Sequence, residues 1–162
     1  MYHTSHSHQT RERSIKMPVP LLLPATGVTT SALTLLVLRA TFDIISLRRK
    51  HKVLLGDGGH GDLAQAIRAH ANLVEFAPLA LLGLGCMELN GVPTAAVGAG
   101  GALFVLGRIL HYRAMHVPTD DTGRERHISG RVLGMQLTLT VLGVTAVSSL
   151  GWTLWALLPR RA

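Results

Sequence analysis

The sequence is poor in cysteine and in charged residues, and each shortage excludes a class of protein. Cys86 is the only cysteine, so the chain has neither an intrachain disulfide nor a cysteine metal cluster. It lies in an apolar stretch, so we interpret it as a packing residue rather than a nucleophile. Charged residues make up 15% of the chain, against about 25% in an ordinary soluble domain. The composition argues against a soluble fold.

Aromatic residues are also scarce, at 4%, although the formal net charge is +7. A nucleic-acid-binding surface would need a basic face, usually with interleaved aromatic side chains, and no such face lies outside the apolar segments. The cations instead cluster at the ends of the apolar blocks, where a membrane helix meets water and lipid headgroups. We therefore predict a lipid bilayer as partner and no nucleic acid.

Long apolar blocks are what the sequence does contain. Hydrophobic residues make up 48% of the chain, and a helix that crosses a bilayer takes about 20 residues. Four segments are long enough, namely residues 19–46, 63–89, 93–112 and 132–158. The turn sequence Asn90-Gly-Val-Pro93 makes the second and third segments an antiparallel pair. The pattern predicts an all-α integral membrane bundle of four helices.

The bundle is expected to occupy residues 18–158. Residues 1–17 are polar, and their alternating histidines could bind a metal. Nothing there builds a fixed geometry, so we favour a disordered leader and predict no metal site. Met17 directly precedes the apolar block, so translation could start there instead of at Met1. Residues 159–162 are expected to form a basic tail.

Local signals predict where the first two helices begin. Proline is tolerated in a first helical turn, so the first helix should begin near Pro18 or Pro20. Asp62 followed by Gln65 resembles a capping box, so the second helix should begin at Leu63.

Charges predict one ion pair and the orientation. Arg39 and Asp43 lie four residues apart on one helical face, a spacing that allows an ion pair. The polar segment 117–126 is expected to be an exposed loop. Basic residues concentrate in the first and third connections, so the positive-inside rule places both connections in the cytoplasm and both termini outside.

The second helix carries a polar stripe. Arg68, Asn72 and Glu75 follow the spacing i, i+4, i+7, which puts them on one helical face. Counting back about 20 residues from Leu89 places Asn72 and Glu75 within the hydrocarbon. An unpaired carboxylate at that depth is costly, so the stripe must face protein or a wet cavity.

Two interpretations of the stripe remain open. It could be a polar clasp between helices. Alternatively, it could bind a zwitterionic ligand, with arginine holding a carboxylate and glutamate holding an ammonium. Arg68 is about 10.5 Å from Glu75 along the helix axis, which we take to be too far for a close ion pair. Glu75 is therefore expected to find its partner on another helix or in the ligand.

Several stretches resemble the MAPEG family, the membrane-associated proteins in eicosanoid and glutathione metabolism. The loop Gly56-Asp-Gly-Gly59 precedes the run Arg68-Ala-His-Ala-Asn72-Leu-Val-Glu75-Phe-Ala-Pro78. Gly107-Arg-Ile-Leu-His111 and Arg131-Val-Leu-Gly134 are similar to later motifs of the family. The likeness covers about residues 20–158 and is closer to the bacterial branch, which implies a bacterial inner membrane.

The resemblance implies a homotrimer of four-helix subunits that binds glutathione, or another low-molecular-weight thiol, between neighbouring subunits. In the family an Arg, an Asn and a Glu of the second helix hold the tripeptide, and here they match Arg68, Asn72 and Glu75. A basic residue late in the first helix contributes, and Arg48 is its nearest match. His111 is a further candidate, for which packing or an interhelical hydrogen bond is the alternative.

The resemblance also implies a catalytic arginine near the start of the fourth helix. Arg131 is our candidate, with Arg126 as the alternative because the preceding loop differs in length. A free thiol has a pKa of about 8.5, and a nearby guanidinium lowers that pKa and supplies the nucleophilic thiolate. The electrophile would arrive from the bilayer and should be lipophilic.

The sequence departs from the pattern of the eukaryotic enzymes in two places. Phe76 stands where those enzymes have a tyrosine, and their third-helix tyrosines have no clear counterpart, although His111 and Tyr112 lie nearby. For Arg108, as for His111, both packing and ligand contact are open. The leading hypothesis is thus a glutathione-dependent transferase or peroxidase. The alternative is a noncatalytic membrane protein that uses the fold for binding or assembly.

Overall fold

The computed structural model of the protein describes residues 22–116 and 128–158, which form helices and no strand. The helices are α1 (Pro24–His51), α2 (Gly61–Leu89), α3 (Thr94–Met115) and α4 (Ile128–Leu157). All four are long and apolar enough to cross a membrane, which confirms the predicted architecture. The predicted leader, the 117–126 loop and the basic tail lie outside the described residues.

Helices α2 and α3 form the centre of the bundle. Each contacts all three other helices, whereas α1 and α4 flank the central pair and do not contact each other in the described ranges. The turn between α2 and α3 makes them antiparallel, as predicted. We call the end that holds the 52–60 loop, the end of α3 and the start of α4 the basic end.

The start of α1 differs from the expectation. The helix begins at Pro24 rather than near Pro18 or Pro20, and a proline at this position loses no helical hydrogen bond. Glu88 of α2 accepts hydrogen bonds from the backbone nitrogens of Ala25 and Thr26 at 3.0 and 2.9 Å. A carboxylate from another helix thus satisfies the free N–H groups of the first turn of α1.

The start of α2 also differs, because the expected capping box does not form. The helix begins at Gly61 rather than Leu63, and no side chain caps it. Asp62 instead lies 2.9 Å from Nε2 of His51 and 3.5 Å from Nζ of Lys50. The carboxylate contacts the side chains of Lys50 and His51 at the end of α1, so it ties the two helix ends together across the loop.

Small residues of α3 set how closely its neighbours approach. A Cβ atom on Gly107 would lie 2.9 Å from the carbonyl oxygen of Gly134 in α4. A Cβ atom on Gly101 would overlap the hydroxyl of Thr29 in α1. Such close backbone approach is how membrane helices gain packing energy.

Large apolar side chains cover the outside of the subunit rather than its centre. Leu35, Leu82 and Val147 are each about two thirds or more exposed, and the core contains many alanines. A soluble protein does not leave such a surface open to water, so the chain is an integral membrane protein. Cys86, interpreted from the sequence as a packing residue, is exposed on this surface.

Candidate functional site

The polar stripe of α2 divides between the interior and the surface of the subunit. Asn72 is 7% exposed and faces the bundle. The side chains of Arg68 and Glu75 are 65% and 49% exposed on the outer face of the subunit. The stripe therefore lies along the edge where α2 passes from the core to the surface.

Arg68 and Glu75 are partners of each other. Nη1 of Arg68 lies 3.5 Å from Oε1 of Glu75, so the expectation that the two residues are too far apart is wrong. The arginine side chain is long enough to extend along the helix and cover most of the rise between them. Because both groups are half exposed, the ion pair itself contributes little to stability, and a ligand can exchange with either partner.

Arg108 is the buried centre of the site. It is 1% exposed, and its Nη1 donates a hydrogen bond to Oδ1 of Asn72 at 2.8 Å. Its Nη2 donates to the carbonyl oxygen of Gly134 at 3.4 Å. One guanidinium therefore joins α2, α3 and α4. Among the described residues no carboxylate lies within ion-pair distance of it.

Aromatic rings take the place of a counterion for Arg108. Its guanidinium carbon lies 5.3 Å from the ring centroid of Phe76 and 5.9 Å from that of Phe104, distances at which cation–π attraction acts. Phe76 is the residue that replaces a tyrosine of the eukaryotic enzymes, so here the position supplies a ring face without a hydroxyl. An arginine inside an apolar helix marks a functional position, but the sequence could not show which groups would surround it.

His111 joins α3 to the start of α4. Its Nδ1 donates a hydrogen bond to the backbone carbonyl of Arg131 at 3.2 Å. This is the interhelical hydrogen bond that the sequence left open, and a ligand contact for His111 stays a prediction. Arg131 lies in the first turn of α4, and its catalytic role stays a prediction. Arg126 lies outside the described residues.

Tyr112 is bound to α1. Its hydroxyl donates a hydrogen bond to Oδ2 of Asp43, and Oδ1 of Asp43 lies 3.0 Å from Nη2 of Arg39. The predicted pair of Arg39 and Asp43 is therefore confirmed. The tyrosine hydroxyl serves the contact between α1 and α3 rather than the α2 stripe.

Within one subunit Arg48 does not join the stripe. Its Nη1 donates to the carbonyl oxygen of Leu54 in the 52–60 loop at 3.0 Å, and no hydrogen bond to Arg68, Asn72 or Glu75 is formed in the described ranges. The same ranges contain no group of three or more potential metal ligands. The subunit therefore offers an arginine-rich, half-open site at the basic end.

Known proteins are similar in sequence to this one over most of the chain. The sequence model of the MAPEG family matches residues 26–151. "Inner membrane protein YecN" of Escherichia coli strain K12 is 34% identical over 123 residues, which cover 76% of this chain and 88% of the relative. The protein of the same name from Escherichia coli O6:H1 has the same identity and coverage. This chain belongs to the MAPEG family.

Proposed function

We propose that the protein is a membrane-bound transferase or peroxidase that uses glutathione, or another low-molecular-weight thiol, against lipophilic electrophiles. The observation that carries the proposal is the Arg68–Glu75 pair, half exposed on the outer face of a membrane-spanning helix. Lipid cannot solvate these charges, so a polar ligand and a neighbouring subunit must cover them.

The charges of this site complement glutathione, which has two carboxylates and one ammonium. Arg68 would form bidentate hydrogen bonds with one carboxylate, and Arg48 of a neighbouring subunit would bind the other carboxylate. Glu75 would bind the ammonium. On binding, Arg68 and Glu75 would separate from each other. Each would then pair with a ligand group that has the same charge as its former partner. Since the internal pair is half exposed, the exchange costs little.

The chemistry rests on Arg131. Its guanidinium would favour the thiolate, with the thiol proton released to water. In the transferase reaction the sulfur attacks an electrophilic carbon, a C–S bond forms, and the leaving group departs as an anion. In the peroxidase reaction the thiolate cleaves the O–O bond of a hydroperoxide to give an alcohol and a sulfenic acid. A second thiol then converts the sulfenic acid to a disulfide and water.

The assembly proposed with this function is a homotrimer in the bacterial inner membrane. The outward position of the α2 charges supports a site shared between subunits. The printed names of the Escherichia coli relatives support the inner membrane. With the basic end in the cytoplasm and both termini outside, a cytoplasmic thiol would reach the site from the basic end.

The test is conjugation of glutathione to a generic aryl halide by the purified protein. We expect Arg131→Ala to lower the rate about a hundredfold, as loss of one stabilising donor does at other sites. The substitution spares the hydrogen bond from His111, because that bond is to the backbone. Arg49→Ala, which removes an exposed cation at the same end, is the matched control. Full activity in Arg131→Ala would refute its role.

Two observations favour the noncatalytic alternative. Phe76 presents no hydroxyl to the site, and Tyr112, the only tyrosine after residue 2, has its hydroxyl committed to Asp43. Under this alternative the protein would bind a thiol and release it unchanged. Saturable thiol binding without turnover of an aryl halide or a hydroperoxide would support it.

A further inference from the structure

A groove runs along the face that α1 and α3 share, away from the α2 stripe. An apolar section of about 580 Å³ begins at Pro24 and Thr94, and a polar section of about 630 Å³ lies at the basic end. Ile109 lines both sections, so they meet there. From Pro24 to Asp43 the groove follows α1 for about 28 Å, close to the roughly 30 Å of bilayer hydrocarbon.

The apolar section exists because its lining residues are small. Ala32 of α1 and Gly98 and Ala102 of α3 leave a channel between the two helices where larger side chains would have filled it. No charged side chain lines it, and its walls are mostly apolar. A flexible hydrocarbon chain matches such a channel in both length and polarity.

The polar section has an excess of positive charge. Its charged side chains are Arg39, Asp43 and Arg113, so two arginines against one aspartate leave one positive charge. The carboxylate of Asp43 is already engaged by Arg39 and by the hydroxyl of Tyr112. Arg113 forms no ion pair with any other described residue. The recess therefore favours an anion.

We propose that this groove binds an anionic phospholipid, with the phosphate in the recess and one acyl chain along α1 and α3. Three features fit this occupant. The recess has a net positive charge, it lies at one end of an apolar channel of bilayer length, and the outer surface of α1 is apolar. The inference does not depend on the thiol reaction, because none of the proposed thiol-binding residues lines the groove.

The experiment titrates the intact protein in mild detergent with phosphatidylglycerol or phosphatidylcholine that have identical acyl chains. Native mass spectrometry then counts the lipids retained per subunit. We expect phosphatidylglycerol to saturate at one lipid per subunit and phosphatidylcholine to bind about tenfold more weakly, since it adds a cation to a recess that is already positive.

Two pairs of variants separate this groove from general attraction to the basic end. Arg113→Gln should weaken phosphatidylglycerol binding about tenfold, because it removes one charge-assisted hydrogen bond. Arg49→Gln should change the affinity less than about twofold. Ala102→Leu should fill the channel and weaken both lipids, whereas Ala146→Leu, exposed on α4, should not. Helical content and oligomeric mass confirm that each variant is folded.

Three results would overturn the proposal. One is that the unaltered protein retains the two lipids equally. Another is that Arg113→Gln and Arg49→Gln change phosphatidylglycerol binding by the same factor. The third is an Ala102→Leu variant that keeps its lipids but changes oligomeric mass, which would mean that a second copy of the chain covers the groove. Arg113 is exposed near the end of α3, so its substitution tests the proposal even if the Ala102 variant fails to fold.

Discussion

Arg108 shows how a single charge is accommodated inside this bundle. The guanidinium has an amide, a backbone carbonyl and two aromatic rings around it, but no described carboxylate. Each of these groups belongs to a different turn or helix. The burial of Arg108 is therefore favourable only when α2, α3 and α4 are packed together.

Removal of the amide partner should destabilise the protein strongly. Asn72→Leu leaves a buried charged donor without its shortest hydrogen bond, a change that costs about 1–3 kcal/mol. We expect a clearly lower melting temperature in detergent. The double variant Asn72→Leu with Arg108→Met should regain much of the loss, because both polar partners are then gone. Asn90→Ala, in the exposed turn after α2, is the control and should change little.

Glu75→Gln distinguishes ligand contact from a structural role. If Glu75 holds the ammonium of the thiol ligand, the substitution should weaken glutathione binding about tenfold. Melting without ligand should hardly change, because the Arg68–Glu75 pair is half exposed. Isothermal titration and thermal unfolding measure the two quantities. Unchanged affinity with a lower melting temperature would assign Glu75 to helix packing.

At the scale of helices, the contact between α3 and α4 holds the site together. Gly107 and Gly134 let the two backbones meet. The same contact brings the Gly134 carbonyl to Arg108 and the Arg131 carbonyl to His111. The position of the proposed catalytic arginine therefore depends on glycines that have no chemical role of their own.

Gly134→Ala should separate these helices. The new Cβ atom would lie 2.6 Å from the Gly107 carbonyl oxygen and 2.8 Å from the His111 nitrogen, and backbone atoms cannot move aside cheaply. We expect the free energy of unfolding to fall by about 1–3 kcal/mol, which is measured as a lower melting temperature. Activity should also fall. Gly143→Ala on the same helix meets nothing within 4 Å and should be neutral or stabilising by up to about 1 kcal/mol. Equal melting of the two variants would contradict this account.

The charged pair of α2 is unfavourable on the surface of a single subunit in the membrane. Many large apolar side chains of the described residues are exposed, and this pair interrupts that apolar surface. A bilayer accepts the apolar part and disfavours the charges. Association of subunits over this face removes the conflict.

We therefore expect a homotrimer in mild detergent. Light scattering with correction for bound detergent, or native mass spectrometry, should give three times the subunit mass. Arg68→Leu with Glu75→Leu should leave the trimer intact if the charges serve the ligand alone. A strictly monomeric particle that still binds glutathione would refute the shared site.

The sequence by itself determined the membrane architecture. Four apolar segments of bilayer length dictate four helices, because a backbone in lipid must satisfy its own hydrogen bonds. The pair Arg39–Asp43 and the antiparallel α2–α3 turn were also predictable, since each depends on neighbours along the chain or on helical spacing. Helical spacing also brought the three residues of the α2 stripe near one another, but Asn72 faces the bundle whereas Arg68 and Glu75 face outward.

Only the tertiary structure decided which polar groups meet. Local spacing suggested a capping box at Asp62 and a distant partner for Glu75, and both expectations were wrong. The carboxylate of Asp62 contacts side chains eleven and twelve residues earlier in the chain. The flexible side chain of Arg68 reaches farther than the axial rise between residues 68 and 75 suggests. Glu88 caps α1, and Arg108 is buried against Asn72. Both contacts join residues that are far apart in the sequence. Such partners are chosen by how the helices pack, and the spacing within one helix carries no information about them.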